Sequence, residues 1–112
     1  MSALDATLAA LADPTRRRVV EALRRGPRRA GELAETTQMT APALSRHLRV
    51  LRTHGLVSEE RVEHDARVRV YRLRRERFEE LQAWLTEIEV FWTLQLGSFK
   101  AHAERRARAK RT

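Results

Sequence analysis

Apolar residues recur every three or four positions along the first half of the chain, which places them on one side of a helix. Leu4, Leu8 and Leu11 show this spacing. Asp13 and Pro14 suit a helix start, because the carboxylate can accept free amide protons and proline needs no partner for its missing N–H. Together these signals predict four helices, over about residues 2–12, 14–25, 30–35 and 41–54.

The fourth predicted helix has an apolar back and a basic front. Leu44, Leu48 and Leu51 share one side, whereas Arg46 and Arg49 fall on the opposite side at about 100° per residue. A turn of a few residues joins this helix to the one before it. Two short helices joined in this way, the second with a basic face, are typical of a helix-turn-helix, in which the second helix reads DNA.

Beyond Gly55 the pattern changes to that of strands and then back to that of a long helix. Residues 56–63 and 67–73 are strand-compatible and partly alternating, so they predict a hairpin with a charged tip. From residue 75 to about 102, apolar and aromatic side chains again follow helical spacing. The predicted fold is mainly α with a small β-hairpin: a winged helix-turn-helix with a long C-terminal dimerisation helix.

Length and charge refine this picture. At 112 residues the chain suffices for one domain with a modest core. The net charge of +8 favours polyanionic partners, but much of it lies from Lys100 onward. We therefore expect a DNA-binding and dimerisation domain over residues 1–104 and a disordered basic tail over residues 105–112. The first residues do not read as a secretory signal and no apolar run could span a membrane, so the expected location is the cytoplasm, without a membrane partner.

Three segments resemble one known family. Residues 11–18 read Leu-Ala-Asp-Pro-Thr-Arg-Arg-Arg, residues 40–51 read Thr-Ala-Pro-Ala-Leu-Ser-Arg-His-Leu-Arg-Val-Leu, and residues 55–57 read Gly-Leu-Val. Together they resemble the ArsR/SmtB winged-helix transcriptional regulators. The resemblance implies a homodimeric repressor that binds a near-palindromic operator and pairs through its first and last helices. It does not extend to the metal-sensing members, because the cysteines that these carry before the reading helix are missing here.

Arginine suits DNA contact because its planar donors bind guanine edges or phosphate. Arg46 and Arg49 are the strongest such residues, and small or polar residues at the helix start can approach phosphate or thymine methyl groups. In the hairpin, Arg67 can reach the DNA backbone or minor groove. Salt bridges to nearby acidic residues explain the presence of an arginine at this position equally well. The residues predicted to bind double-stranded DNA are Thr40, Ala41, Pro42, Ala43, Ser45, Arg46, Arg49 and Arg67.

The apolar stripe of the last helix is wider than a domain of this size can cover. Such a surface predicts that the chain pairs with a second copy of itself. The residues predicted at the homodimer contact are Leu4, Leu8, Leu11, Trp84, Leu85, Ile88, Phe91, Trp92 and Phe99.

Chemistry beyond DNA binding has little support in the sequence. There is no cysteine and no glycine-rich phosphate loop, and Ser45 has no acid–base partner, so no enzyme is expected. His54, His64 and His102 lack the spacing of a tetrahedral site, so no metal or cofactor is predicted. Three alternatives stay open: a nonspecific nucleic-acid-binding protein that relies on the basic tail, a protein-interaction module that uses the aromatic helix, and a metal- or ligand-responsive repressor of the same fold. The sequence names neither the operator nor an inducing ligand.

Overall fold

The computed structural model describes residues 2–62 and 64–111. Met1, Glu63 (the predicted end of the first strand) and Thr112 (the end of the predicted tail) lie outside the described residues. Within the described part, five helices and three strands follow one another along the chain. They are α1 (Ala3–Leu11), α2 (Pro14–Arg24), β1 (Arg28–Arg29), α3 (Ala30–Thr37), α4 (Ala41–Thr53), β2 (Val57–Val62), β3 (Asp65–Leu73) and α5 (Arg75–Arg111). The predicted fold class is confirmed.

The chain divides into two compact units, Met1–Glu80 and Leu81–Thr112. The first unit contains α1 to α4, the sheet and the beginning of α5, and the second contains the rest of α5. This division differs from the domain limit expected at residue 104, which stays a prediction.

Side chains from α1 to α4 and from the sheet form the core of the first unit. Leu33 of α3 is buried, as are the leucines on the back of α4 and the pair Leu56 and Val57, which leads into β2. Burying a leucine contributes about 1.5–3 kcal/mol, so these contacts hold α4 firmly against the rest of the unit. The buried apolar residues are Ala10, Val19, Leu23, Leu33, Leu44, Leu48, Leu51, Leu56, Val57 and Tyr71.

The helix ends confirm the predicted caps. The Asp13 carboxylate accepts the backbone N–H groups of Thr15 at 2.7 Å and of Arg16 at 3.3 Å. These amides, the Thr15 amide above all, lower the pKa of Asp13. At the start of α4 the Thr40 hydroxyl accepts from the Ala43 amide at 3.3 Å. After α4, Gly55 takes a φ of 76°, a conformation that glycine adopts without the cost a side chain would add.

The arginines after Asp13 tie α2 to the preceding helix. Arg16 donates its Nε–H to the carbonyl oxygen of Ala10 at 2.7 Å, and Arg17 donates to that of Leu11 at 2.7 Å. These are carbonyls at the end of α1 that lack partners within the helix. The basic part of the Asp13 segment therefore holds two helices together.

The sheet contains one strand that the sequence did not predict. Among the described residues it has three antiparallel strands in the order β1-β3-β2. Arg28 pairs with Tyr71 and Arg29 with Val70. The strand is only two residues long, so it has no alternating pattern of its own and forms because β3 supplies hydrogen-bonding partners. The predicted hairpin itself is confirmed as β2 and β3.

The end of the chain is helical in the structure: residues 105–111 continue α5. The disordered tail expected over residues 105–112 stays a prediction. The residues over 101–109 explain this result, since alanine, arginine and glutamate are among the best helix formers and neither glycine nor proline interrupts them. The basic charge is thus carried on a helix.

Within the described residues, no helix combines the length and the apolar character needed to cross a membrane.

Candidate nucleic-acid interface

The residues predicted to contact DNA from α4 lie together on its outer side. The leucines at positions 44, 48 and 51 are buried, so any rotation of α4 about its own axis would expose them to solvent. Its opposite face is therefore held toward solvent. Thr40, Ala41, Pro42, Ser45, Arg46 and Arg49 are exposed and Ala43 is half-buried.

Arg46 and Arg49 are the two cations of this face. Both are exposed, and neither makes a hydrogen bond or an ion pair with any residue in ranges 2–62 and 64–111. Their donors are therefore available to a ligand. Arginine binds guanine with two parallel hydrogen bonds and phosphate equally well, so the pair can serve either base or backbone.

The start of α4 is a second part of this face at which the sequence predicts DNA contact. The turn from α3 passes through Gln38, which has a φ of 54°, and ends at the cap residue Thr40. Pro42 lies in the first turn, where its missing N–H leaves no unmet donor. The Ala43 amide is bonded to the Thr40 hydroxyl, so the exposed start of α4 leaves the Ala41 amide as a donor for a phosphate.

Arg67 lies in β3, shares a hollow with the first residues of α3, and makes one internal contact. The Arg67 backbone N–H donates to Oδ1 of Asp65 at 3.0 Å, whereas its exposed side chain forms no ion pair within the described residues. Two other hairpin arginines are paired: Arg69 lies 3.3 Å from Glu59 and Arg72 lies 3.2 Å from Glu60. Salt bridges therefore account for Arg72 but not for Arg67, whose contact with DNA stays a prediction.

A cluster that the sequence did not predict connects α4 with the hairpin. We call it the Glu59 cluster; it consists of Arg52, Glu59, Arg69 and Tyr71. Oε2 of Glu59 lies 2.7 Å from Nη1 of Arg52 and accepts the Tyr71 hydroxyl at 3.0 Å, while Oε1 lies 3.3 Å from Nη1 of Arg69. The register pairs Glu59 with Tyr71, so the period-two alternation of the hairpin could have indicated part of the cluster.

The pKa of Tyr71 is raised above 10.0, first because burial disfavours the phenolate and second because the hydroxyl donates to Glu59. Tyr71 is the chain's one tyrosine, so the ultraviolet spectrum of tyrosinate reports on it alone. We expect a titration midpoint above pH 10 in the folded protein, and a return to about 10 in denaturant. Glu59→Gln should remove part of the shift, and the part caused by burial should remain.

This shift also has a consequence for stability. A raised pKa in the folded state stabilises the fold fully below pH 10, and that contribution is lost as the pH rises through the raised value. An ordinary midpoint in the folded protein would show that Tyr71 is not held by Glu59 as the structure has it.

The histidines are scattered. His47 is half-buried on the flank of α4, close enough for its charge to lower the pKa of Asp13. In the part of the chain that the structure describes, no three side chains of His, Cys, Asp or Glu lie close enough to hold a metal ion.

Most residues predicted at the dimer contact are at least partly exposed. In the first unit, Leu8 is exposed and Leu4 and Leu11 are half-buried, with Leu11 packed against the core. In the second unit the aromatic residues of α5 stand out: Phe91 is 58%, Trp92 59% and Phe99 73% exposed. Trp84 and Leu85 are also exposed and Ile88 is half-buried. A run of uncovered aromatic side chains on one helix is uncommon on a monomer surface.

Comparison with known proteins agrees with this architecture. A family model described as "Bacterial regulatory protein, arsR family" matches residues 13–59, which contain α2 to α4. The HTH-type transcriptional regulator Rv2034 of Mycobacterium tuberculosis is 41% identical over 90 residues, or 80% of this chain and 78% of that protein. The transcriptional repressor SdpR of Bacillus subtilis is 36% identical over 52 residues, or 46% of this chain and 58% of that protein.

Solved structures show the same likeness. The crystal structure of the ArsR family transcriptional regulator RHA00566 matches with a TM-score of 0.73 and 35% identity, covering 82% of this chain and 98% of that one. The homodimeric winged helix-turn-helix DNA-binding domain of Mb0332 from Mycobacterium bovis matches with a TM-score of 0.62 and 25% identity, over 78% of each chain. These matches are to regulators of transcription and not to enzymes. The chain belongs to the ArsR family of winged helix-turn-helix transcriptional regulators.

Proposed function

We propose that the protein is a homodimeric, sequence-specific repressor that binds a near-palindromic operator through α4. One observation carries the proposal: Arg46 and Arg49 are exposed and without an internal partner among the described residues, on a helix whose other side is anchored by buried leucines. In helix-turn-helix proteins the second helix enters the major groove, and its outward side chains contact base edges. Arg46 and Arg49 would read bases, and the exposed residues at the start of α4 would contact the backbone.

The homodimer is supported by the uncovered aromatic residues of α5 and by the homodimeric state of the Mb0332 domain. Two copies related by a twofold axis would offer two reading helices to half-sites about one helical turn apart. The repressor role is supported by the similarity to SdpR, which is a repressor. Repression would follow from occlusion of the promoter. Binding to chromosomal DNA would require the protein to be in the cytoplasm, which is the location we propose.

The test is the effect of Arg46→Ala on sequence discrimination. The operator is first isolated by selection from random duplexes, and its affinity is compared with that of a scrambled duplex. We expect the variant to lose about 1–3 kcal/mol of discrimination, because a bidentate contact to guanine distinguishes the right base from the wrong one by that amount.

Arg25→Ala is the matched control, since Arg25 is exposed and lies at the end of α2, outside α4. It should leave discrimination unchanged. Equal losses on both duplexes would make Arg46 a phosphate contact and overturn base reading at this position.

Truncation of the basic end of the chain separates this proposal from nonspecific coating of nucleic acid by that end, whereas salt dependence does not. Phosphate contacts make the affinity fall steeply with salt in either case. Truncation after His102 should only weaken operator binding if α4 carries specificity. Loss of all binding on truncation would instead favour the nonspecific alternative.

A further inference from the structure

The Glu59 cluster places one carboxylate between two guanidinium groups. Glu59 uses both oxygens, Oε2 for Arg52 at 2.7 Å and Oε1 for Arg69 at 3.3 Å. The glutamate side chain is only 14% exposed, whereas those of Arg52 and Arg69 are 38% and 48% exposed. The carboxylate is therefore shielded from solvent ions, while the two cations retain access to solvent.

Both arginines lie beside the face proposed to contact DNA. Arg52 follows Arg49 by three positions on α4, the spacing of neighbouring side chains on a helix surface. Arg69 lines a hollow of about 300 Å³ to which Ala41 and Ser45 also contribute. A guanidinium group that lies near DNA binds phosphate regardless of base sequence.

Glu59 thus sets how many cations the interface offers. With the carboxylate present, Arg52, Glu59 and Arg69 together carry one positive charge, and without it they carry two. Arg46 and Arg49, by contrast, have no acidic partner among the described residues. Within α4, the guanidinium charge without an acidic partner lies on these two side chains, which are the ones proposed to read bases.

We propose that Glu59 is a specificity-determining residue, which restrains Arg52 and Arg69 from contacting DNA phosphate and so suppresses binding to unrelated sequences. The inference rests on the proposed function, because it assumes that α4 reads an operator. The proposal and a purely structural role predict opposite effects of removing Glu59. If Glu59 only held the hairpin against α4, its removal would lower the affinity for every duplex. If Glu59 restrains the two arginines, its removal raises the affinity for scrambled DNA.

Glu59→Gln is the informative variant, because it removes the charge and keeps the shape and one acceptor. Affinities for the selected operator and for a scrambled duplex are measured across a salt series. We expect affinity for the scrambled duplex to rise about 3–10-fold near 0.1 M salt, since each added phosphate contact steepens the slope of log affinity against log salt by about 0.9. The ratio of operator to scrambled affinity should fall by about the same factor.

Glu60→Gln is the matched control. It makes the same change in net charge on the next residue, but Glu60 lies on the other face of β2 and pairs with Arg72 at 3.2 Å. The affinity of this variant for scrambled DNA should stay within about twofold of that of the unchanged protein. The slope of its log affinity against log salt should differ by less than about 0.3. A rise equal to that of Glu59→Gln would mean that net charge alone is responsible, and would overturn the proposal.

A double variant tests the cause directly. Adding Arg69→Gln to Glu59→Gln should remove much of the gain on scrambled DNA, because one released cation is gone. If Glu59→Gln lowers affinity for both duplexes alike, Glu59 is structural and the proposal is wrong.

A measurement on the unchanged protein keeps the proposal testable if Glu59→Gln does not fold. The guanidinium NMR signals of Arg46 and Arg49 should shift on addition of scrambled DNA, and those of Arg52 and Arg69 should not. Shifts of all four would overturn it. Failure of the proposed function is distinguishable from failure of this inference. If the proposed function is wrong, the unchanged protein binds operator and scrambled duplexes equally. The comparison of Glu59→Gln with Glu60→Gln on scrambled DNA still reports on Glu59 in that case.

Discussion

Trp92→Glu is expected to convert the proposed dimer to monomers and to weaken operator binding by about 10²–10⁴-fold. Trp92 is 59% exposed and its ring meets that of Phe91 edge to face, with 6.5 Å between ring centroids. A charge placed in an apolar contact between two copies would have to be buried without a partner. Once the copies separate, each half-site is bound independently, and the gain from linking two binding events is lost.

Sedimentation and operator titration at matched concentration check this prediction. Ala101→Glu is the control, because position 101 lies about two and a half turns further along the same helix, on the side opposite Trp92, and receives the same charge. It should remain dimeric. Circular dichroism should show unchanged helix content in both variants, since glutamate is a good helix former. A Trp92→Glu protein that stays dimeric would move the self-association surface away from this part of α5.

Local signals explain why most of the fold could be predicted from sequence. Asp13, Thr40 and Gly55 each mark an end through contacts within a few residues, and the first four helices begin and end within two residues of the expected positions. The last helix begins where expected but continues to Arg111, beyond the expected end near residue 102. Strand β1 depends on a partner more than forty positions away, since Arg28 pairs with Tyr71. No short stretch of sequence contains that information.

The same distinction applies to the candidate site. The exposed front of α4 follows from the spacing of its leucines, so the predicted positions of Arg46 and Arg49 could be derived from one segment. The Glu59 cluster combines α4, β2 and β3. Sequence alone indicated that acids and arginines alternate in the hairpin, but which pairs form depends on how the hairpin meets α4. The sequence therefore showed the pattern of charges in the hairpin but not which charged side chains contact one another.

Leu51→Ala is expected to lower the free energy of unfolding by about 2–5 kcal/mol, a large part of the roughly 5–15 kcal/mol typical of a domain. Leu51 is fully buried on the back of α4, so the substitution removes packed methyl groups and leaves a cavity. Denaturant unfolding measures the loss, and Leu51→Met, which conserves volume, should cost less than about 1.5 kcal/mol. Because Leu51 anchors the helix and does not face the proposed DNA surface, the variant should retain operator discrimination wherever it remains folded. A loss below about 1 kcal/mol would contradict the packing of α4 against the core, and with it the argument that buried leucines hold Arg46 and Arg49 outward.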